Sequence, residues 1–275
     1  MAPTEDAPLA SGFQGRSALV VGGSRGLGRA VAIALAREGC RVLAVGRSAA
    51  PLAALRETAA ARGLRLRTAR GDVTRPGTAR RLVRQAGALS GPGGPGGPGG
   101  RGGRGRLGHA APDIVVHAAG DYWEGPLRDL TPERWEALVH SNVTGAVALL
   151  HAALPPMRRR RFGRVLLFGV AGGDTPRAAS RAHGYRAAKI ALLTIARSAA
   201  QEEAEHGITI NVILPGVIRT PGTPARWAAA AAAAKIPAGR LGTPGEVARA
   251  ALFLLAEESG YITGAALPVS GGYLL

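Results

Sequence analysis

The chain has 275 residues, 46% of them hydrophobic, which suits one large α/β domain better than two small ones. Its single cysteine, Cys40, excludes an internal disulfide framework and a cysteine-based zinc cluster, and its six histidines show no metal-ligand spacing. The net charge of +17 invites a nucleic-acid reading, but arginine is spread along the whole chain, aromatics are only 4%, and no nucleic-acid motif appears, so no specific nucleic-acid partner is expected.

Residues 1–16 carry Pro, Ala and acidic residues without an apolar centre, and are expected to form a flexible tail rather than a leader. No apolar run is expected to span a bilayer, so the cytoplasm is the simplest location. A single domain over 17–275 follows from alternating apolar runs and helical patterns. Strands are expected at 17–21, 41–45, 64–69, 114–117, 164–168 and 209–214. Helices are expected at about 29–38, 77–88 and 131–154, from Tyr185 onward, and near 224–234 and 245–257. Cys40 falls at the entry to the second strand, where a buried structural thiol is expected. The alternation predicts a doubly wound parallel sheet of about seven strands with helices on both faces. Residues 91–106 break the pattern with glycine at two of every three positions, and read as a disordered insertion. Its arginines 101, 104 and 106, like Arg158–161 further on, are expected to be solvated, the latter at a helix end.

Gly22-x-x-x-Gly26-x-Gly28 lies between the first strand and its helix. Such glycines let the backbone turn tightly and approach a pyrophosphate at the positive end of the helix. The spacing departs from the common G-x-G-x-x-G fingerprint. The second strand runs into Val45-Gly46-Arg47-Ser48 with no acidic residue for a ribose 2′-hydroxyl. Arg47 and Arg25 are candidates to clamp a 2′-phosphate instead, which points to NADP(H).

Lysine is used twice in the chain, at 189 and 235, against 33 arginines. Lys189 follows Tyr185 by four residues, one helical turn, so both side chains share a face. An ammonium beside a phenol is expected to lower the phenol pKa and ready it for proton exchange near neutral pH. Arginine would serve less well, because it is bulkier and does not titrate.

Taken together, these segments resemble the short-chain dehydrogenase/reductase family, over about residue 13 to the C-terminus apart from the glycine-rich insertion. Gly22–Gly28, including Ser24, Arg25 and Leu27, resembles the family's glycine loop, with Val21 where the family has Thr. Gly71-Asp72-Val73-Thr74 resembles the segment whose Asp meets the adenine. His117-Ala118-Ala119-Gly120 resembles its N-N-A-G turn with both Asn replaced. Asn142 matches the helix Asn that holds a proton-relay water. Tyr185 and Lys189 match the catalytic pair. Pro215-Gly216-Val217-Ile218-Arg219-Thr220 matches the segment against the nicotinamide carboxamide. Residues 239–246 and 262–273 resemble the C-terminal region, and the flavour is that of 3-oxoacyl-carrier-protein reductases. The resemblance implies a Rossmann-type fold, NADP(H), a small or carrier-bound carbonyl substrate, and a homotetramer or homodimer through the long helices.

One departure matters. The family places a Ser after the fifth strand, about thirteen residues before the Tyr, to bond the substrate oxygen. Alignment on the strand puts Val170 there; counting back from Tyr185 gives Gly172. Thr175 and Ser180 are the nearest hydroxyls, and Asp174 could orient a basic nitrogen. Two readings stay open: a reductase whose carbonyl or imine substrate dispenses with the Ser, or a weakly active NADP(H)-binding regulator or partner subunit. Tyr122 and Trp123 are candidates for an aromatic substrate wall. Enoyl-reductase spacing, a Tyr seven before the Lys, fits poorly: Ala182 stands at that position.

Overall fold

The structure, a computed structural model, describes residues 12–89, 111–175, 178, 181–221, 223 and 236–274. Seven strands form one sheet: β1 Ser17–Val21, β2 Arg41–Gly46, β3 Leu66–Arg70, β4 Ile114–His117, β5 Gly163–Phe168, β6 Ile208–Pro215 and β7 Ala266–Val269. Their order is β3-β2-β1-β4-β5-β6-β7 and every pairing is parallel. The helices are α1 Gly26–Arg37, α2 Ala49–Ala61, α3 Thr78–Gly87, α4 Pro132–Val139, α5 Gly145–Arg160, α6 His183–Glu203 and α7 Pro244–Leu255.

Covering both faces of a parallel sheet demands strands that are apolar throughout. Accordingly, all five residues of β1 and all six of β5 are buried. Alternate residues serve opposite faces. Ala18 and Val20 join Val31, Leu35, Val247 and Leu254 of α1 and α7. Leu19 and Val21 join Leu82, Leu149 and Leu192 of α3, α5 and α6. Removing one such fully buried leucine, as in Leu19→Ala, costs about 2–5 kcal/mol. Cys40 is fully buried, as expected, and burial pushes its thiol up to about 12.

Several boundaries differ from the sequence expectation. The third strand starts at Leu66, because Leu64 N–H donates to Ala59 O and completes the end of α2. The short edge strand β7 was not distinguished in sequence, and Pro268 is tolerated at the edge. Phe13 and Arg16, expected in the tail, are buried; Arg16 pairs with Glu257 and stacks on Phe162.

The largest difference is at α4–α5. The helix does not end at Leu154 but runs on through Pro155 and Pro156 to Arg160, with a π turn at His140–Thr144 between α4 and α5. Fully buried Met157 and the two hydrogen bonds from Arg158 Nε to Glu203, at 2.7 and 2.9 Å, hold that last stretch despite the two missing donors. Arg158–161 close the helix, and Arg158, Arg159 and Arg161 are exposed, as expected; Arg160 is partly buried and donates to Ala111 O and Pro112 O, and Arg161 donates to Glu205 O. The continuous 29-residue rod Pro132–Arg160 has the length and apolarity of a membrane span. Its Leu149, Leu150, Ala153 and Met157 are instead buried against the sheet. The expected helix near 224–234 and the insertion at 91–106 lie outside the described residues.

Candidate active site

The strands end along one edge, and a cleft of about 1500 Å³ opens there where strand order reverses between β1 and β4. Its floor begins at the β1–α1 loop. Gly22 has φ +80°, and a Cβ on it would stand 2.6 Å from the carbonyl of Ala118. Only glycine lets this loop lie on the end of β4. Ser24, Arg25, Gly26 and Leu27 line the cleft, and Arg25 is the extended residue just before α1, whose first N–H groups face outward without helical partners. Gly28 does not reach the cleft; it packs beneath, against Gly22 O.

At one end of the cleft lie Arg47, Asp72 and Val73. Asp72 accepts from Thr74 N–H (3.1 Å) and Thr74 Oγ1 (2.7 Å). Arg47 does not project freely: its Nη2 donates to Asp121 Oδ1 at 2.7 Å. Ala118, Ala119 and Gly120 line the middle, and Pro215, Gly216, Ile218 and Thr220 line the opposite wall.

Tyr185 and Lys189 stand one turn apart on α6, both facing the cleft. Lys189 Nζ donates to Phe168 O at 2.8 Å and lies 5.7 Å from the Tyr185 ring centre. The expected lowering of the phenol pKa is not found. Burial pushes Tyr185 up to about 12 and Lys189 down to about 8. The cause is desolvation, which disfavours each charged form. Near neutral pH the pair is thus a phenol beside an ammonium: a proton donor with a fixed positive charge behind it.

Asn142 sits in the π turn and is fully buried, so its side chain stands behind the cleft wall rather than in it. Its Nδ2 donates to Asp121 O (2.9 Å) and Leu138 O (3.0 Å), while Oδ1 finds no partner among the described residues. His117 is also fully buried; desolvation, then the charge of Lys189, holds its ring down to about 3, so it is neutral.

Between the two candidates for the Ser position, the geometry separates clearly. Val170 lines the cleft with Tyr185, whereas Gly172 is absent from the lining. Gly172 has φ +60°, and a Cβ on it would stand 2.8 Å from Leu274 O. Asp174 and Thr175 are exposed and do not line the cleft; Ser180 lies outside the described residues. Tyr122 does line the cleft, edge-on to Tyr185 with ring centres 5.0 Å apart, and its hydroxyl donates to Glu124 at 2.5 Å. Trp123 is not part of the wall: Arg134 stacks over it.

Two residues were not singled out in sequence. Buried Arg186 donates to Ala171 O (2.9 Å) and to Gly172 O, fixing the loop after β5. Asp121 is the other; an acid directly after the H-A-A-G turn was its only signal.

Comparison with known proteins agrees with this geometry. Residues 16–92 match the family model described as short chain dehydrogenase, and residues 108–274 match that described as Enoyl-(Acyl carrier protein) reductase. The chain is 33% identical over 262 residues to the 3-oxoacyl-acyl-carrier-protein reductase FabG of Escherichia coli, covering 94% of this chain and 98% of that protein. It is 32% identical to an acetoacetyl-CoA reductase of Shinella zoogloeoides, with the same coverage. Among solved structures, a 3-oxoacyl-acyl-carrier-protein reductase of Agrobacterium tumefaciens C58 with NADP bound superposes with a TM-score of 0.82 at 28% identity, covering 98% of this chain and 99% of that one. The chain belongs to the short-chain dehydrogenase/reductase family of oxidoreductases.

Proposed function

We propose that this chain is an NADP(H)-dependent reductase of a carbonyl or imine group, with Tyr185 as the proton donor. The observation that carries this reading is one continuous cleft. It runs from the β1–α1 loop and Arg47 to the Tyr185–Lys189 pair. The residues fit the dinucleotide: Gly22 leaves room where a Cβ would clash, α1 presents its positive end, and Arg25 and Arg47 supply cations where β2 carries no acid. When bound, the nicotinamide supplies the hydride. Two relatives bear names of 3-oxoacyl or acetoacetyl reductases, which supports a carrier- or coenzyme-bound ketone as substrate.

In this reading Tyr185, held as a phenol, gives its proton to the substrate oxygen or nitrogen as hydride arrives. Lys189 stabilises the phenolate left behind and is held by Phe168 O. Asn142 holds the wall: its Nδ2 fixes Asp121, and its unpaired Oδ1 is the acceptor for a relay water. Val170 contributes methyl groups where a hydroxyl would bond the substrate oxygen. Losing one such donor lowers a rate by about 10²–10³ without abolishing it. The same Val170 favours the second reading, a cofactor-binding partner subunit with little turnover. A homotetramer or homodimer through the long helices belongs to the proposal too.

NADPH oxidation against a β-ketoacyl thioester, an aromatic ketone, a quinone and a cyclic imine, with NADPH affinity measured alongside, tests this. Turnover on one of them establishes the reductase. Tight NADPH binding with no turnover favours the partner subunit.

A further inference from the structure

The Arg47–Asp121 pair has an unusual position. Arg47 follows the end of β2 and Asp121 follows the turn after β4, and β1 lies between these strands. The ion pair therefore crosses above the end of β1, over the mouth of the glycine loop, and both residues line the cleft. Asp121 is held in place from both sides of its backbone. Its N–H donates to Ser141 Oγ at 3.2 Å, and its C=O accepts from Asn142 Nδ2 at 2.9 Å. Arg47 is likewise fixed, its C=O accepting from Arg70 Nε at 2.9 Å. Yet the two side chains are 58% and 51% exposed, so the pair itself is weak and opens readily.

Resting on the cofactor reading above, we infer that Asp121 is a specificity-determining residue that competes with the cofactor's 2′-phosphate for Arg47. A phosphate monoester carries up to two negative charges and three acceptor oxygens, so it displaces a single carboxylate from a guanidinium. Before it does so, NADPH must break the Asp121 bond and then sit near an uncompensated carboxylate. NADH has no 2′-phosphate and leaves the pair intact. Asp121 thus narrows the gap between NADPH and NADH that Arg47 opens. Neutralising Asp121 widens that gap, and does so most while Arg47 is present.

The test is equilibrium binding of NADPH and NADH, by nicotinamide fluorescence, to wild type, Asp121→Asn, Asp121→Ser, Arg47→Met and the Arg47→Met/Asp121→Asn double variant. Both Asp121 variants are expected to tighten NADPH about three- to tenfold while changing NADH less than about twofold. In the Arg47→Met background, Asp121→Asn is expected to change the NADPH/NADH ratio less than it does in wild type. If Arg47→Met collapses the preference but the Asp121 variants leave the ratio within about twofold of wild type, the inference fails and the cofactor reading stands. If wild type shows no NADPH preference and Arg47→Met changes nothing, both fail.

Discussion

Lys189 Nζ donates a 2.8 Å hydrogen bond to the carbonyl of Phe168, the last residue of β5. This contact ties the helix that carries Tyr185 to the strand whose next residues carry Val170. It also keeps the ammonium under the phenol, 5.7 Å from its ring centre, without letting it solvate. The positive charge is thus purchased at a folding cost, which makes the pair's pH behaviour a sharp test.

Lys189 has its folded pKa depressed to about 8 from 10.5. The unfolded chain therefore binds more protons between those values, and the Lys189 contribution to stability rises with pH across that window. Comparing wild type with Lys189→Met by denaturant unfolding, the stability difference should shift toward wild type by up to about 3 kcal/mol between pH 8 and 10.5. Activity runs the other way. Reduction needs the ammonium, so kcat should be flat below pH 8 and fall above it, and Lys189→Met should lose about 10²-fold or more.

Val170→Ser places a hydroxyl in the wall of the cleft that Tyr185 also lines. With a ketone substrate, kcat/KM should rise, by about tenfold to 10²-fold. Gly172→Ser should give no such gain and should destabilise the protein by about 1–3 kcal/mol, since φ +60° and Leu274 O both oppose a side chain there. Steady-state kinetics and thermal unfolding on the two variants distinguish the positions.

Much of this was legible in sequence because the signals were local. The glycine loop, the strand alternation and the Tyr185–Lys189 turn each follow from residues close together in the chain. What was missed depends on contacts between distant residues. Pro155-Pro156 reads as a helix end, but the helix continues because Met157 and Arg158 are held by partners far along the chain. The Tyr185 pKa was read from Lys189 alone, whereas burial dominates it. Arg47 was read as a candidate 2′-phosphate clamp without its partner, Asp121, which lies 74 residues on. The choice between Val170 and Gly172 required the backbone of the loop itself.

Glu203 is 1% exposed and accepts from Arg158 Nε through both carboxylate oxygens. Glu203→Ala removes these hydrogen bonds and loosens the end of α5, but leaves Arg158, whose side chain is 46% exposed, free to solvate. A modest loss of stability is expected in denaturant unfolding, with NADPH affinity unchanged.

Deuterium transfer from 4-deuterated NADPH to the product, followed by mass spectrometry in single turnover for wild type and Tyr185→Phe, tests the central claim most directly. Wild type should place one deuterium on the former carbonyl or imine carbon. Tyr185→Phe should bind NADPH equally well and transfer about 10²–10⁴ times more slowly. Equal transfer rates in the two proteins, or tight NADPH binding with no label in any product, would contradict a reductase that works through Tyr185.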